Sequence, residues 1–327
     1  MPKVTISTIA DAAGVSKATV SRYLNGHFER MSSETKQKIA AVIKQFDYYP
    51  NRQASSLKSS RTHLIGVVAA DISNIYSTLL IKGINEVART DHNQIMIGDA
   101  GDRLEQEREV LQLLLSQNVD GIILQPQSAD PAAYQFITAA NTPMVMVDRL
   151  TQPLSWPTVT STDYRSSFEL AQHVVAKYNE IAVFSNPIQL ASPRSLRYQA
   201  FVDAAAEKGA HVILVETTGT RMAPLADYWR THKEQHPAIF STNGRLLMAV
   251  LQWLQDNAIQ YPKQVGICGY DDWDWASLAG PGISSVAQHP TAIGAVAMHQ
   301  LMAQIDGETL PALDQQVPAT VNIRHSL

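Results

Sequence analysis

The chain has 327 residues, a formal net charge of −4, 45% hydrophobic and 17% charged residues. That length leaves room for about two domains with a sizeable core, and the composition excludes an intrinsically disordered chain. No apolar run approaches the ~18–20 residues of a membrane span, and a single cysteine, Cys268, excludes an internal disulfide and any multi-thiolate metal centre.

The polar start, Met1 to Ile6, lacks the basic and apolar stretches of a secretory signal, so a cytoplasmic location and no membrane partner are expected. The charge is unevenly spread: residues 1–61 carry ten Lys/Arg against four Asp/Glu, a balance of +6, and the remainder carries −10. A small basic head on an acidic body points to a nucleic-acid-binding module joined to something else; a solvated charged face is the plainer alternative.

In the head, Thr5 is placed to cap a helix whose apolar residues, Ile6, Ile9, Ala10 and Ala13, recur at helical spacing. Gly14 is a natural stop, Val15 a plug between helices, and Ser16 the cap of a second short helix, Lys17 to Leu24, with Val20 and Leu24 turned inward. Asn25-Gly26 ends it. A third helix starts near Ser32 or Ser33 and carries Ile39, Val42, Ile43 and Phe46. Two short helices around a glycine turn, closed by a third, make a helix-turn-helix, which places its second helix in the major groove. Small polar residues there allow close approach, and Lys17 or Arg22 can donate to guanine O6 and N7. A three-helix bundle that binds protein is the alternative.

The run from Val4 through Gly14-Val15-Ser16-Lys17-Ala18-Thr19-Val20-Ser21-Arg22-Tyr23-Leu24-Asn25, and Asp47-Tyr48-Tyr49-Pro50-Asn51-Arg52-Gln53-Ala54-Ser55-Ser56-Leu57, resembles the head of the lactose-repressor (LacI/GalR) family. The pattern extends over essentially the whole chain. The resemblance implies DNA contacts at Thr5, Ser16, Lys17, Ala18, Thr19, Ser21, Arg22, Asn25, Asn51, Arg52, Ala54 and Leu57. Residues 48–62 read as a linker: Tyr49-Pro50 breaks the third helix, and Asn51 to Leu57 is too short and small-residued for a helix stable alone in water. The resemblance implies paired hinge helices in the minor groove, with Leu57 as a wedge that kinks the duplex; an ordinary linker residue is the alternative.

From residue 63 strands and helices alternate, from Leu64-Ile65-Gly66-Val67-Val68-Ala69-Ala70 to a last helix at about Ala292 to Ile305. Such alternation predicts doubly wound parallel sheets, here two in series, with a ligand cleft at the carboxyl ends of the strands. The expected architecture is a small all-α head, residues 1–47, the linker, 48–62, and an effector-binding and dimerisation core, 63–327. The core resembles periplasmic binding proteins: one lobe at about 63–162 and 291–320, the other at about 163–290. With no trailing leucine heptad after Arg324, a homodimer is expected rather than a tetramer.

Polar residues follow the strands. Asp148 follows Val145-Met146-Val147, Asn243 follows Ile239-Phe240-Ser241-Thr242, and Asp271 follows Gly269-Tyr270. Carboxylates there can accept two hydrogen bonds from vicinal hydroxyls. The resemblance implies effector contacts at Arg197, Asn243 and Asp271, and more loosely at Tyr76, Asp148 and Gln288; each residue type also serves as a helix cap or structural ion pair. Two departures stand out. Gly244-Arg245 replaces a family carboxylate with a cation, and Trp273 follows Asp271-Asp272, where an indole can stack on a sugar ring or simply fill a core. Together they point to a carbohydrate effector with an anionic group, an aldonate or keto-aldonate, as in branches resembling keto-deoxygluconate regulators. No Gly-x-Ser-x-Gly, P-loop or paired-histidine metal motif is present, so neither catalysis nor a cofactor nor a metal is expected. The alternatives are a sugar-binding protein or a carbohydrate-active enzyme.

Overall fold

The head is built by local signals. The computed structural model describes residues 4–24, 26–29, 31–48, 61–308 and 313–327, and the chain divides into two compact units, residues 1–62 and 63–327. In the first unit, α1 (Ile6–Ala13) starts at a reciprocal cap in which the Thr8 amide donates to Thr5 Oγ1 and the Thr5 amide to Thr8 Oγ1. Gly14 closes it at φ 67°. Helices α2 (Lys17–Leu24) and α3 (Ser33–Gln45) follow, the latter capped by Ser32. Ile9, Ala10, Val20 and Ile39 form the buried centre, with Val15 and Phe46 packed around it.

The second unit holds two six-stranded sheets among its described residues. The first combines β1 (Leu64–Ala69), β2 (Gln94–Asp99), β3 (Gly121–Leu124), β4 (Met144–Val147), β5 (Thr158–Ser161) and β11 (Asp314–Val317), in the order β11-β5-β4-β3-β1-β2, all parallel. The second combines β6 (Glu180–Ser185), β7 (His211–Glu216), β8 (Ala238–Ser241), β9 (Gly266–Tyr270), β10 (Ser284–Ala287) and β12 (Thr320–Asn322). Its order is β12-β10-β9-β8-β6-β7, with only β12 antiparallel.

Both sheets are covered on both faces, which is why their central strands are continuous apolar runs. In the first, Ile65, Val67, Ile123 and Val145 meet α4 (Ile75–Thr90) and α11 (Pro290–Ile305). Val68, Ile122, Leu124 and Met146 meet α5 (Leu104–Ser116) and α6 (Gln135–Ala139). In the second, Val183, Phe240 and Cys268 pack under α7 (Asp163–Val175) and α8 (Ser192–Lys208). Ala182, Phe184, Ile239 and Ile267 pack under α9 (Ala223–His232) and α10 (Gly244–Asp256). Cys268 is fully buried, and burial pushes its thiol up, away from reactivity. Among the described residues no helix is long and apolar enough to cross a membrane.

The chain passes between the sheets after Ser161, after Ala287 and after Val317. These passages are laced together. The Thr162 amide donates to the Val317 carbonyl (3.2 Å), the Ala319 amide to Thr162 Oγ1 (3.0 Å), and His289 Nε2 lies 3.0 Å from Thr320 Oγ1. Apolar periodicity does not single out β5, β10, β11 or β12. Their sequences are dominated by Thr, Ser and Gln, and their place comes from pairing across the sheet rather than from local pattern.

α11 returns to the first lobe and crosses α4 with backbone almost on backbone. A Cβ built on Gly294 would stand 2.2 Å from the Leu80 carbonyl oxygen, and one on Gly83 would stand 1.9 Å from that of Thr291. Gly294→Ala therefore forces the helices apart. We expect a loss of about 1–3 kcal/mol in urea unfolding of the core, and an unchanged midpoint would mean the crossing tolerates a methyl group.

Candidate functional site

On the head, α2 presents Lys17, Ala18 and Arg22 to solvent, with Thr19 and Ser21 half-buried beside them and Val20 in the core. Ser16 caps the helix by accepting from the Thr19 amide at 3.2 Å. Thr5 is exposed at the start of α1. Small residues flanked by two cations allow the helix to approach a groove and donate to base edges. The expected contacts at Asn25, Asn51, Arg52, Ala54 and Leu57 lie outside the described residues.

In the second unit a cleft, open at its mouth, lies between the two sheets at the carboxyl ends of their strands, where ligands bind such sheets. Its wall brings together Tyr76, Asp148, Arg197, Asn243, Arg245, Asp271 and Gln288. Trp273 is the exception: its ring does not reach that wall and instead packs against the first lobe's apolar cluster of Tyr76, Leu80 and Ile293. The indole finds more apolar surface there than a polar cleft offers.

Arg197 is buried and held on several sides. Its Nε and Nη2 donate to Asp163 Oδ1 at 2.7 and 2.6 Å, Nη1 donates to the Thr242 carbonyl at 2.6 Å, and the guanidinium lies 3.6 Å from the Tyr270 ring centroid. Tyr270 Oη in turn donates to the Asp163 carbonyl and shares a bond with Ser167. Burial opposes the charge of Arg197, but Asp163, Tyr270 and Asp271 outweigh it and hold it protonated. Burial pushes Asp163 up to about 6, against the pull of Arg197.

Asp271 is also buried, and burial raises its carboxyl against Arg197 and two hydrogen bonds. Its Oδ2 accepts the Gly244 amide at 2.8 Å and its Oδ1 accepts Gln288 Nε2 at 2.8 Å. A Cβ at 244 would come within 2.7 Å of Asp271 Cβ, so glycine lets the positive end of α10 close on the carboxylate. Asn243 is the N-cap of that helix, its Oδ1 accepting the Leu246 amide at 2.9 Å. Asp148 and Asp271 both take left-handed backbone, at φ 67° and 72°. Non-glycine residues are held there at some cost, and such strain gathers at functional sites. Two buried groups on the wall, Tyr76 Oη and Gln288 Oε1, have no hydrogen-bond partner among the described residues.

The first lobe supplies Gln125, whose Nε2 donates to Asp148 Oδ2 at 2.7 Å and whose Oε1 accepts the Ala70 amide at 3.0 Å. Arg245 reaches across from α10: its Nη2 donates to Asp71 Oδ2 and Ser73 Oγ, both at 2.9 Å. Burial alone would raise Asp71, but the bonds from Ser73 and Arg245 hold it below the usual carboxylate range. Arg245 therefore lines the cleft while its charge is spent on the opposite lobe.

Sequence reasoning did not single out Gln125, Arg149, Asn186 or Arg194, which also line the cleft. Gln125 and Asn186 follow β3 and β6 directly, so the strand-end rule that marks Asp148 and Asp271 reaches them too. Arg149 and Arg194 carry no such signal.

The comparisons agree on what this chain is similar to. A model of bacterial regulatory proteins of the lacI family matches residues 5–51, and one of a periplasmic binding protein-like domain matches residues 171–327. The HTH-type transcriptional regulator KdgR of Bacillus subtilis is 32% identical over 330 residues, covering 99% of this chain and 97% of KdgR. Among solved structures, the lac repressor dimer bound to operator and the anti-inducer ONPF superposes with a TM-score of 0.87 at 21% identity, over 99% of both chains. A complex of the transcriptional regulator CelR with cellobiose gives 0.71 at 23%, over 99% of this chain and all of that one.

Behind the cleft, Glu107 is buried, accepting Tyr134 Oη at 2.9 Å and the Gln127 amide at 2.8 Å. Burial pushes its carboxyl from 4.5 up to about 7, against those bonds and Arg149. A raised carboxyl in the folded state favours folding below its ordinary pKa, and that contribution is lost as pH rises through about 7. The wild-type advantage over Glu107→Gln should fall by about 3 kcal/mol between pH 4.5 and 8 in urea unfolding. A pH-independent difference would show that Glu107 titrates as an ordinary carboxyl.

Proposed function

Because the chain belongs to the lacI family of bacterial regulatory proteins, a family of helix-turn-helix transcriptional regulators rather than enzymes, we propose that it is a repressor. In this reading a homodimer holds a near-palindromic operator in the cytoplasm, and a small sugar acid, an aldonate or keto-aldonate, releases it. Dimer symmetry then matches operator symmetry. Arg22 and Lys17 are the base-reading cations, and Thr5, Ser16, Ala18, Thr19 and Ser21 complete the contact surface.

The observation that carries the effector reading is the cleft wall. It is dominated by hydrogen-bonding groups, with Asp148, Asp271, Asn243, Tyr76 and Gln288 beside four arginines, Arg149, Arg194, Arg197 and Arg245. Carboxylates and amides of that density suit a polyol, and the arginines suit an acid. Occupancy draws the lobes together about the laced passages, and a coupling of about 1–3 kcal/mol is enough to favour release of DNA. Reversed coupling, in which the ligand strengthens operator binding, uses the same parts.

Thermal unfolding of the protein against aldonates, keto-aldonates and neutral sugars tests the effector. An aldonate or keto-aldonate at 100 times its Kd should add about 2.7 kcal/mol, and a shift with neutral sugars alone would refute the acid. The DNA reading is tested on an operator selected from random duplexes. Arg22→Ala should cost about 1–3 kcal/mol on that operator and far less on unrelated duplex. Equal losses on both would remove Arg22 from base reading.

A further inference from the structure

We propose that Arg194, with Arg149 beside it, anchors the effector's carboxylate and sets the preference for an acid over a neutral sugar of the same size; this rests on the sugar-acid reading above. The four cleft arginines are not equivalent. Arg197 is in direct contact with the Asp163 carboxylate and gives Nη1 to the Thr242 carbonyl, and Arg245 gives Nη2 to the Asp71 carboxylate and to Ser73. Arg149 is partly committed. Its Nη1 donates to Gln127 Oε1 at 2.9 Å and to the Pro126 carbonyl at 3.3 Å, its Nη2 lies 3.3 Å from Asp102, and its Nε lies 3.9 Å from Asp148.

Arg194 differs from all three. It stands in the first turn of α8, half-buried on the cleft wall, and makes one hydrogen bond, from Nη1 to the Pro187 carbonyl at 3.3 Å. Among the described residues it has no carboxylate partner. Burial, together with the neighbouring charge of Arg149, pulls its guanidinium down to about 10 against the more distant carboxylates of Asp102 and Asp148, which leaves it charged at neutral pH. A cation half withdrawn from water, beside a like charge and with no carboxylate in direct contact among the described residues, is costly until an anion completes it. The guanidinium fork matches a carboxylate in two parallel hydrogen bonds, and Arg194 still has the donors to make them.

A second observation points to a ligand in the same cleft. Tyr76 Oη and Gln288 Oε1 are buried on its wall without partners among the described residues, a pair of groups that hydroxyls of a polyol chain would satisfy. One ligand with a carboxylate and several hydroxyls answers the unpaired cation and the two unpaired polar groups together.

Calorimetric titration of the full-length protein with D-gluconate, 2-keto-D-gluconate, 2-keto-3-deoxy-D-gluconate and gluconamide, which keeps the hydroxyls but not the charge, tests this. In the wild type an acid should bind at least about 30-fold more tightly than the amide. In Arg194→Gln that acid should weaken by about the same factor and the amide should change little. Arg194→Lys, which keeps the charge and loses the fork, should fall between, and it decides the question if the Gln variant fails to fold by circular dichroism. A wild-type acid preference that survives intact in the folded variants would overturn the anchor and leave the sugar-acid reading standing. A wild type that binds none of the acids, or binds acid and amide alike, would overturn both.

Discussion

The buried pair between Asp163 and Arg197 ties the second lobe together at its cleft edge. Asp163 opens α7 directly after the chain enters that lobe, Arg197 lies on α8, and the guanidinium reaches the carbonyl that follows β8 and the ring that ends β9. One side chain thus registers two helices against two strand ends. Removing water from both charges is costly, and the cost is offset by two bonds from the guanidinium to Asp163, one to the Thr242 carbonyl and stacking on the Tyr270 ring. The next residue after Tyr270 is Asp271, so the same pair positions the neighbouring carboxylate against the start of α10.

The two lobes line the cleft in the same way. Each ends a central strand in an aspartate with left-handed backbone, Asp148 after β4 and Asp271 after β9, and each holds that aspartate with an amide side chain, Gln125 in one and Gln288 in the other. A paired arrangement of this kind gives the cleft two rigid acceptors on facing walls. The arginines are distributed less evenly, with Arg245 bridging the mouth and Arg194 left unpaired among the described residues.

Much of this was legible in the sequence, and the limits have physical causes. The head is specified by short-range signals, since caps at Thr5, Ser16 and Ser32 and a stop at Gly14 act within one turn. The buried strands declare themselves as apolar runs and the candidate carboxylates by following them. The edge and crossing strands do not, because Asp314–Val317 is a strand by pairing with Thr158–Ser161, and Thr158–Ser161 by pairing with it and with β4. Arg245 was legible as a cleft residue, but its bond to Asp71 joins positions 174 residues apart. Trp273 has the chemistry for a sugar face and no way to announce that it turns toward the other lobe's core. Arg194 resembles any helix-surface arginine until the fold surrounds it.

Three separate passages join the lobes, and hydrogen bonds at Thr162, Ala319, His289 and Thr320 draw them into one seam. Mechanically, a single strand would be a swivel, free to twist and bend in every direction. Three connectors laced side by side act as a pin joint, stiff to shear and to twist and compliant to rotation about the seam. Opening and closing then becomes a motion along one coordinate, and whatever lies at the far end of either lobe is displaced by an amount proportional to its distance from that axis.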